Sequence, residues 1–146
     1  MMPKLSGDAR TLSLDEIAVG QVWREEREIT GEMLNGFIEI TRDQALAHVD
    51  AGHSGRLGFD RCIVHGLLVG SGYSRILGMF LPGSNTVIHK IQLEMLSPVF
   101  VGDVLNYEVR VDRIIAAVKS VQLKLAAMNQ EGKLVNQGTA VCTFRA

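Results

Sequence analysis

The run GLLVGSGYSRILGMF, residues 66 to 80, is apolar on almost every helical face and carries glycines at 66, 70, 72 and 78. A helix apolar all round is buried all round. Each internal glycine costs about 1 kcal/mol relative to alanine, so this set needs a packing reason. Close approach of a sheet, or of a ligand to the backbone, supplies one. A helix enclosed by a curved antiparallel sheet meets both demands. The helix is expected to begin near Val64 to Gly66, run to Phe80 and stop at Pro82 and Gly83. His65, Arg75 and the glycines interrupt the longer run IVHGLLVGSGYSRILGMFLPG. A transmembrane helix needs about 20 nearly uncharged apolar residues, so the segment reads as the buried helix of a soluble protein.

The sequence downstream of this helix supplies the sheet. NTVIHKIQLEMLSPV alternates over Val87, His89, Ile91, Leu93 and Met95, and VGD at 101 to 103 reads as a turn. VLNYEVRVDRII, SVQLKLAAMNQ and LVNQGTAVCTFR follow, separated by AAVK and by the turn NQEGK, which together suggest a meander. Upstream, QVWREEREI is a first strand, with Val22, Arg24, Glu26 and Glu28 on one side and Trp23, Glu25, Arg27 and Ile29 on the other. Thr30 can cap a helix whose apolar stripe follows Met33, Leu34, Phe37, Ile38 and Ala45. The glycine-bearing DAGHSGRLGFD, residues 50 to 60, reads as loop, and residues 1 to 14 as a flexible N-terminal arm before a single domain over 15 to 146. Strand, helices and then consecutive strands signal an α+β fold.

The composition excludes several classes of function. Lysine and arginine total 15 against 16 acids, a net charge of -1, which leaves no basic footprint for nucleic acid and no polybasic membrane patch. The 146 residues fit one domain, long enough to bury roughly two-thirds of the unfolded surface. Cys62 and Cys142 have no metal-ligand spacing and read as two buried thiols. MMPKLSGDARTLSLDEI has no apolar signal core before its acids, so nothing suggests export and a cytoplasmic protein is expected.

Three motifs then stand in order along the chain. FIEITRDQALAHVD sets Phe37, Thr41, Asp43, His48 and Asp50 in register; IVHGLLVGSGYSRILGMFLPG has a His-Gly opening and a Leu-Pro-Gly exit; SPVFVGD occupies 97 to 103. Together they resemble the MaoC-like hydratases, the (R)-specific enoyl-CoA hydratase group. The resemblance spans roughly residues 16 to 145 and implies a hotdog fold, one long helix wrapped by a curved antiparallel sheet. It implies a homodimer with active sites near the subunit interface, and an acyl-CoA thioester as substrate without metal or redox cofactor. By the same resemblance Asp43 and His48 are catalytic and hold one water, the Gly66 amide is the oxyanion donor, and Ser74 borders the reacting centre. His65 is a further substrate-binding candidate, with a hydrogen-bonded structural role as the alternative.

Physical chemistry is consistent with those roles. Neutral imidazole can take a proton near neutral pH while a carboxylate orients the water. The first amides of a helix lack intrahelical partners and favour developing negative charge. The sequence departs from the family motif Asp-x-Asn-Pro-x-His at two positions, where Ala45 and Leu46 replace Asn and Pro. On an unbroken helix five residues turn about 140°, so Asp43 and His48 share a water only if the chain breaks between them. Two other readings stay open: acyl-CoA thioester hydrolysis on the same fold, and a non-catalytic acyl-CoA-binding subunit.

Overall fold

Alternation with period two builds the first strand, β1 (Val22–Glu28), in which Arg24, Glu26 and Glu28 are exposed while Trp23, Glu25 and Arg27 are half-buried. The structure, a computed structural model, describes residues 7–145. Buried Ile29 follows β1, and Thr30 caps α1 (Gly31–Thr41), its Oγ1 accepting the Met33 amide at 3.2 Å. Two short helices, α2 (Leu46–Val49) and α3 (Ala51–Arg56), precede α4 (Gly66–Met79). The remaining strands are β2 (Thr86–Met95), β3 (Val104–Ile115), β4 (Ser120–Met128) and β5 (Leu134–Phe144).

All pairings are antiparallel, in the order β1-β3-β4-β5-β2. The expected meander is β3-β4-β5, and the earlier strands β1 and β2 close its two sides. Register shifts fall at Ile88/Lys90, Val111/Arg113 and Ala127/Met128, where bulges bend and twist the strands. The inward residues Leu105, Tyr107, Val109 and Val111 of β3, Val121, Leu123, Leu125 and Ala127 of β4, and Ala140, Cys142 and Phe144 of β5 form one core with α4.

α4 lies where its composition demands. Leu68, Val69, Tyr73, Ile76 and Leu77 are all buried. A Cβ on Gly72 would meet the Tyr107 ring at 2.4 Å, and one on Gly70 would meet the Leu93 side chain at 2.7 Å. These two glycines let the sheet approach the helix backbone. Nothing lies within 4 Å of a Cβ at Gly78, and the packing does not explain that glycine. Close approach recurs inside the sheet, where a Cβ on Gly138 would fall 1.8 Å from the Gln92 carbonyl oxygen.

Three expectations are corrected. The loop read over 50 to 60 contains α3, whose N-cap Asp50 accepts the His53 amide at 2.6 Å; this aspartate cap outweighs the glycines. The arm expected over 1 to 14 is docked from Arg10 onward, while residues 1 to 6 lie outside the described ones. The Arg10 amide donates to the Met79 carbonyl at 2.7 Å, its carbonyl accepts from Ser84 at 2.8 Å, and Asn85 Nδ2 donates to the Leu12 carbonyl at 3.0 Å. Its guanidinium lies 5.6 Å from the Trp23 ring, which stacks on Phe80 at 4.5 Å, and Arg75 covers Phe80 at 5.0 Å. Of the two cysteines only Cys142 is buried, which pushes its thiol up to about 12; Cys62 is half-buried. No described helix is long and apolar enough to cross a membrane.

Candidate active site

The chain breaks between α1 and α2 without help from proline. Arg42 caps α1 in the left-handed region at φ 62°, its amide bonded to the Ile38 carbonyl at 2.7 Å. Thr41 Oγ1 donates to the Phe37 carbonyl at 2.7 Å and accepts the Asp43 amide at 3.1 Å. Asp43 Oδ1 in turn accepts the Ala45 amide at 3.0 Å, an Asx turn that redirects the chain. Ala45 (φ −52°, ψ 136°) is the N-cap of α2, and Leu46 is its first residue. The family's Asn and Pro therefore correspond to an N-cap and a first helical position, where those residue types are favoured. Ala45 and Leu46 forgo that stabilisation, and the Thr41 and Asp43 side chains make the turn.

Asp43 and His48 consequently come together, with His65 as a third member. One polar atom from each of the three lies within 4.8 Å of the others. Two hydrogen bonds of about 2.8 Å meeting at one water span roughly 4.5 Å, so polar atoms within 4.8 Å of one another are close enough for one water to bridge.

Each imidazole is oriented by a backbone carbonyl. His48 Nδ1 lies 2.7 Å from the Ile63 carbonyl oxygen. A carbonyl only accepts, so Nδ1 carries the proton and Nε2 of the neutral ring keeps its lone pair. The Ile63 amide returns a bond to the Ala47 carbonyl at 3.0 Å, tying α2 to the segment before α4.

His65 is 2% exposed, and its Nε2 donates to the Asp43 carbonyl at 3.0 Å while lying 3.8 Å from the Asp43 carboxylate. Its ring stacks under His48 at 3.7 Å and touches Phe37 at 4.8 Å. His65 thus joins both candidate residues and braces the break. The trio has the proximity of a metal site, yet the His65 nitrogen facing Asp43 carries a proton and offers a cation no lone pair. The donor set suits a proton network.

Gly66 is the first residue of α4, so its amide is among those helix geometry leaves without a partner. It lines a cavity of about 190 Å³ together with Phe37, Thr41, Asp43, His48 and His65. It also lines an adjoining groove of about 320 Å³ that carries His48, Met95 and Ser97. Met95 lies over Gly66, with three atoms 3.1 to 3.3 Å from where a Cβ would stand. Ser74 is not brought to this place: it is exposed, farther along α4, and lines neither cavity. A recess of about 400 Å³ across Glu108, Arg110 and Lys124 shares no residue with the site. Three of its charged residues are already paired, Glu108 with Arg24 at 2.9 Å and Arg110 at 3.3 Å, and Lys124 with Asp112 at 3.5 Å.

The residues that sequence reasoning missed are mostly backbone groups or geometric roles. The Ile63 carbonyl and the left-handed Arg42 have no residue-type signature. Thr41 was visible only as part of a motif, and its two hydrogen bonds were not. Restoring the motif tests this account of the turn. Ala45→Asn combined with Leu46→Pro is expected to stabilise the fold by about 1 kcal/mol, because Ala45 already has the ψ that precedes proline. Urea denaturation reads the result; a lowered midpoint would mean that the turn depends on alanine and leucine.

The comparisons with known proteins bear on the family and the fold. The MaoC like domain family matches residues 16–131. The (R)-specific enoyl-CoA hydratase of Aeromonas caviae is 31% identical over 130 residues, covering 89% of this chain and 97% of that protein. The 3-hydroxybutyryl-CoA dehydratase of Methylorubrum extorquens is 32% identical over 115 residues, covering 79% of this chain and 71% of its own. The R-hydratase of Pseudomonas aeruginosa superposes with a TM-score of 0.82 at 29% identity, over 90% of this chain and 84% of that one. With its helix packed on a five-stranded antiparallel sheet and the family model matching residues 16–131, the chain belongs to the MaoC-like domain family.

Proposed function

We propose that the protein catalyses reversible hydration of a 2-enoyl-CoA to an (R)-3-hydroxyacyl-CoA, with Asp43 and His48 as the catalytic pair and Gly66 as the oxyanion donor. One observation carries the assignment of roles: Asp43, His48 and Gly66 line one cavity, and the first two bring polar atoms within 4.8 Å of each other, close enough for one water to bridge.

In the forward direction the thioester oxygen sits at the N-terminus of α4, facing the Gly66 amide. The water held between Asp43 and His48 loses a proton to His48 Nε2 as its oxygen bonds to C3. The C2=C3 π electrons move to the thioester oxygen, where the helix terminus stabilises the enolate. Proton return to C2 then completes the addition. The Ile63 carbonyl is suited to the imidazolium that forms, because it accepts from Nδ1 throughout. Asp43 is 48% exposed at its side chain, so its carboxylate orients the water from the solvent side. Addition of water is redox-neutral and needs no electron carrier; CoA enters as part of the substrate. A decayed, binding-only site was motivated by Ala45 and Leu46, and the turn forms despite them.

The same reading includes a homodimer joined along β2. That strand is at one end of the sheet order, so its outer edge lacks a partner among the described strands. Val87, Ile91 and Met95 on it are 52%, 41% and 49% exposed.

Two measurements test the proposal. Asp43→Asn and His48→Gln should each lower crotonyl-CoA hydration by about 10²- to 10⁴-fold while the fold is retained; thiol release without hydration would instead mark a thioesterase. Sedimentation should give twice the 16.0 kDa chain mass, and a monomer at micromolar concentration contradicts the β2 pairing.

A further inference from the structure

A small recess adjoins the proposed active site. The groove that carries His48 shares Val64, Gly66, Met95 and Ser97 with a cavity of about 30 Å³, which is closed by Val69, Val99, Val135 and Asn136. Asn136 occupies an inward position of β5, where alternation calls for an apolar residue, and is 1% exposed. The Tyr73 hydroxyl donates to its Oδ1, which fixes the amide plane. Tyr73 is fully buried, and burial holds its phenol protonated far above the ordinary range. The other end of the amide, Nδ2, is buried and has no hydrogen-bond partner among the described residues. Native interiors rarely leave a donor unpaired, and such a group calls for an explanation.

We infer that Asn136 forms a polar end to the acyl pocket and selects short 2-enoyl thioesters that carry a neutral oxygen substituent. This rests on the hydratase reading above and deepens it. The recess admits a group the size of one water or one hydroxyl, so a long hydrocarbon tail does not end there. Its lining has no lysine, arginine or histidine, so a carboxylate would be buried without a countercharge, which is unfavourable. A hydroxyl or carbonyl oxygen accepts from Nδ2 at no such cost. Ser97, on the same lining, can accept the proton of a substrate hydroxyl. The pairing makes selection asymmetric: an alkyl group in this position leaves the amide unsatisfied, and a site built to hydrogen-bond a hydroxyl discriminates strongly against the analogue that lacks it.

The test compares kcat/KM for 4-hydroxybut-2-enoyl-CoA and crotonyl-CoA. The native protein should favour the hydroxylated thioester at least tenfold. In the double variant Asn136→Leu with Tyr73→Phe, which removes donor and acceptor together so that neither is orphaned, that ratio should fall to one or below. A ratio near one in the native protein overturns the inference, with the recess holding only a buried water, and this result needs no variant to fold. A preference that survives in the double variant overturns the assignment to Asn136. If neither thioester is hydrated, the hydratase reading itself fails, a result distinct from equal turnover of both.

Discussion

The site depends on how α4 is seated against the sheet. Tyr107 of β3 fills the space left by Gly72, and its hydroxyl donates to the Val69 carbonyl at 2.5 Å, one turn beyond the start of the helix. Burial pushes that phenol up to about 12, so the donor is kept across the neutral range. With the first turn of α4 held from below, Gly66 and His65 have fixed positions. His65 transmits that position outward, to the Asp43 carbonyl through Nε2 and to His48 through the stacked ring. A residue inside the core thereby sets the spacing of two groups that face solvent. The glycines that weaken α4 as an isolated helix are what allow this contact.

Much of the scaffold was legible because single-period patterns dominate it. The all-round apolar character of residues 66 to 80 gave the helix and its burial, and Pro82 and Gly83 marked its exit. The alternation of β1 separated half-buried Trp23, Glu25 and Arg27 from exposed Arg24, Glu26 and Glu28, and the runs of β3, β4 and β5 marked them as consecutive strands. The α1–α2 break was not legible, since it rests on a left-handed arginine and on side-chain bonds made by Thr41 and Asp43. α3 was hidden by Gly52 and Gly55, whose cost is offset by the Asp50 cap. The edge strand β2 read as alternating, yet both its faces are largely exposed, because a pattern in one chain does not show whether an edge is covered.

Site residues followed the same division. Asp43 and His48 could be named from the motif, while their separation belonged to tertiary structure. His65 could be named from its place before α4, but its function as a brace between the pair depends on ring stacking that no local pattern encodes. Ser74 matched by position and is turned to the surface. Asn136 had a signal that went unused: a lone amide on the inward phase of a strand whose other inward residues are small or apolar.

The account's central claim is that a single water, held between Asp43 and His48 on one side of the substrate, supplies both the oxygen for C3 and the proton for C2. Hydration of crotonyl-CoA in D₂O tests this most directly, with the C2–C3 coupling of the product read by NMR. The account predicts syn addition, with deuterium at C2 on the same face as the new hydroxyl. Anti addition would require a proton source on the opposite face and would contradict it.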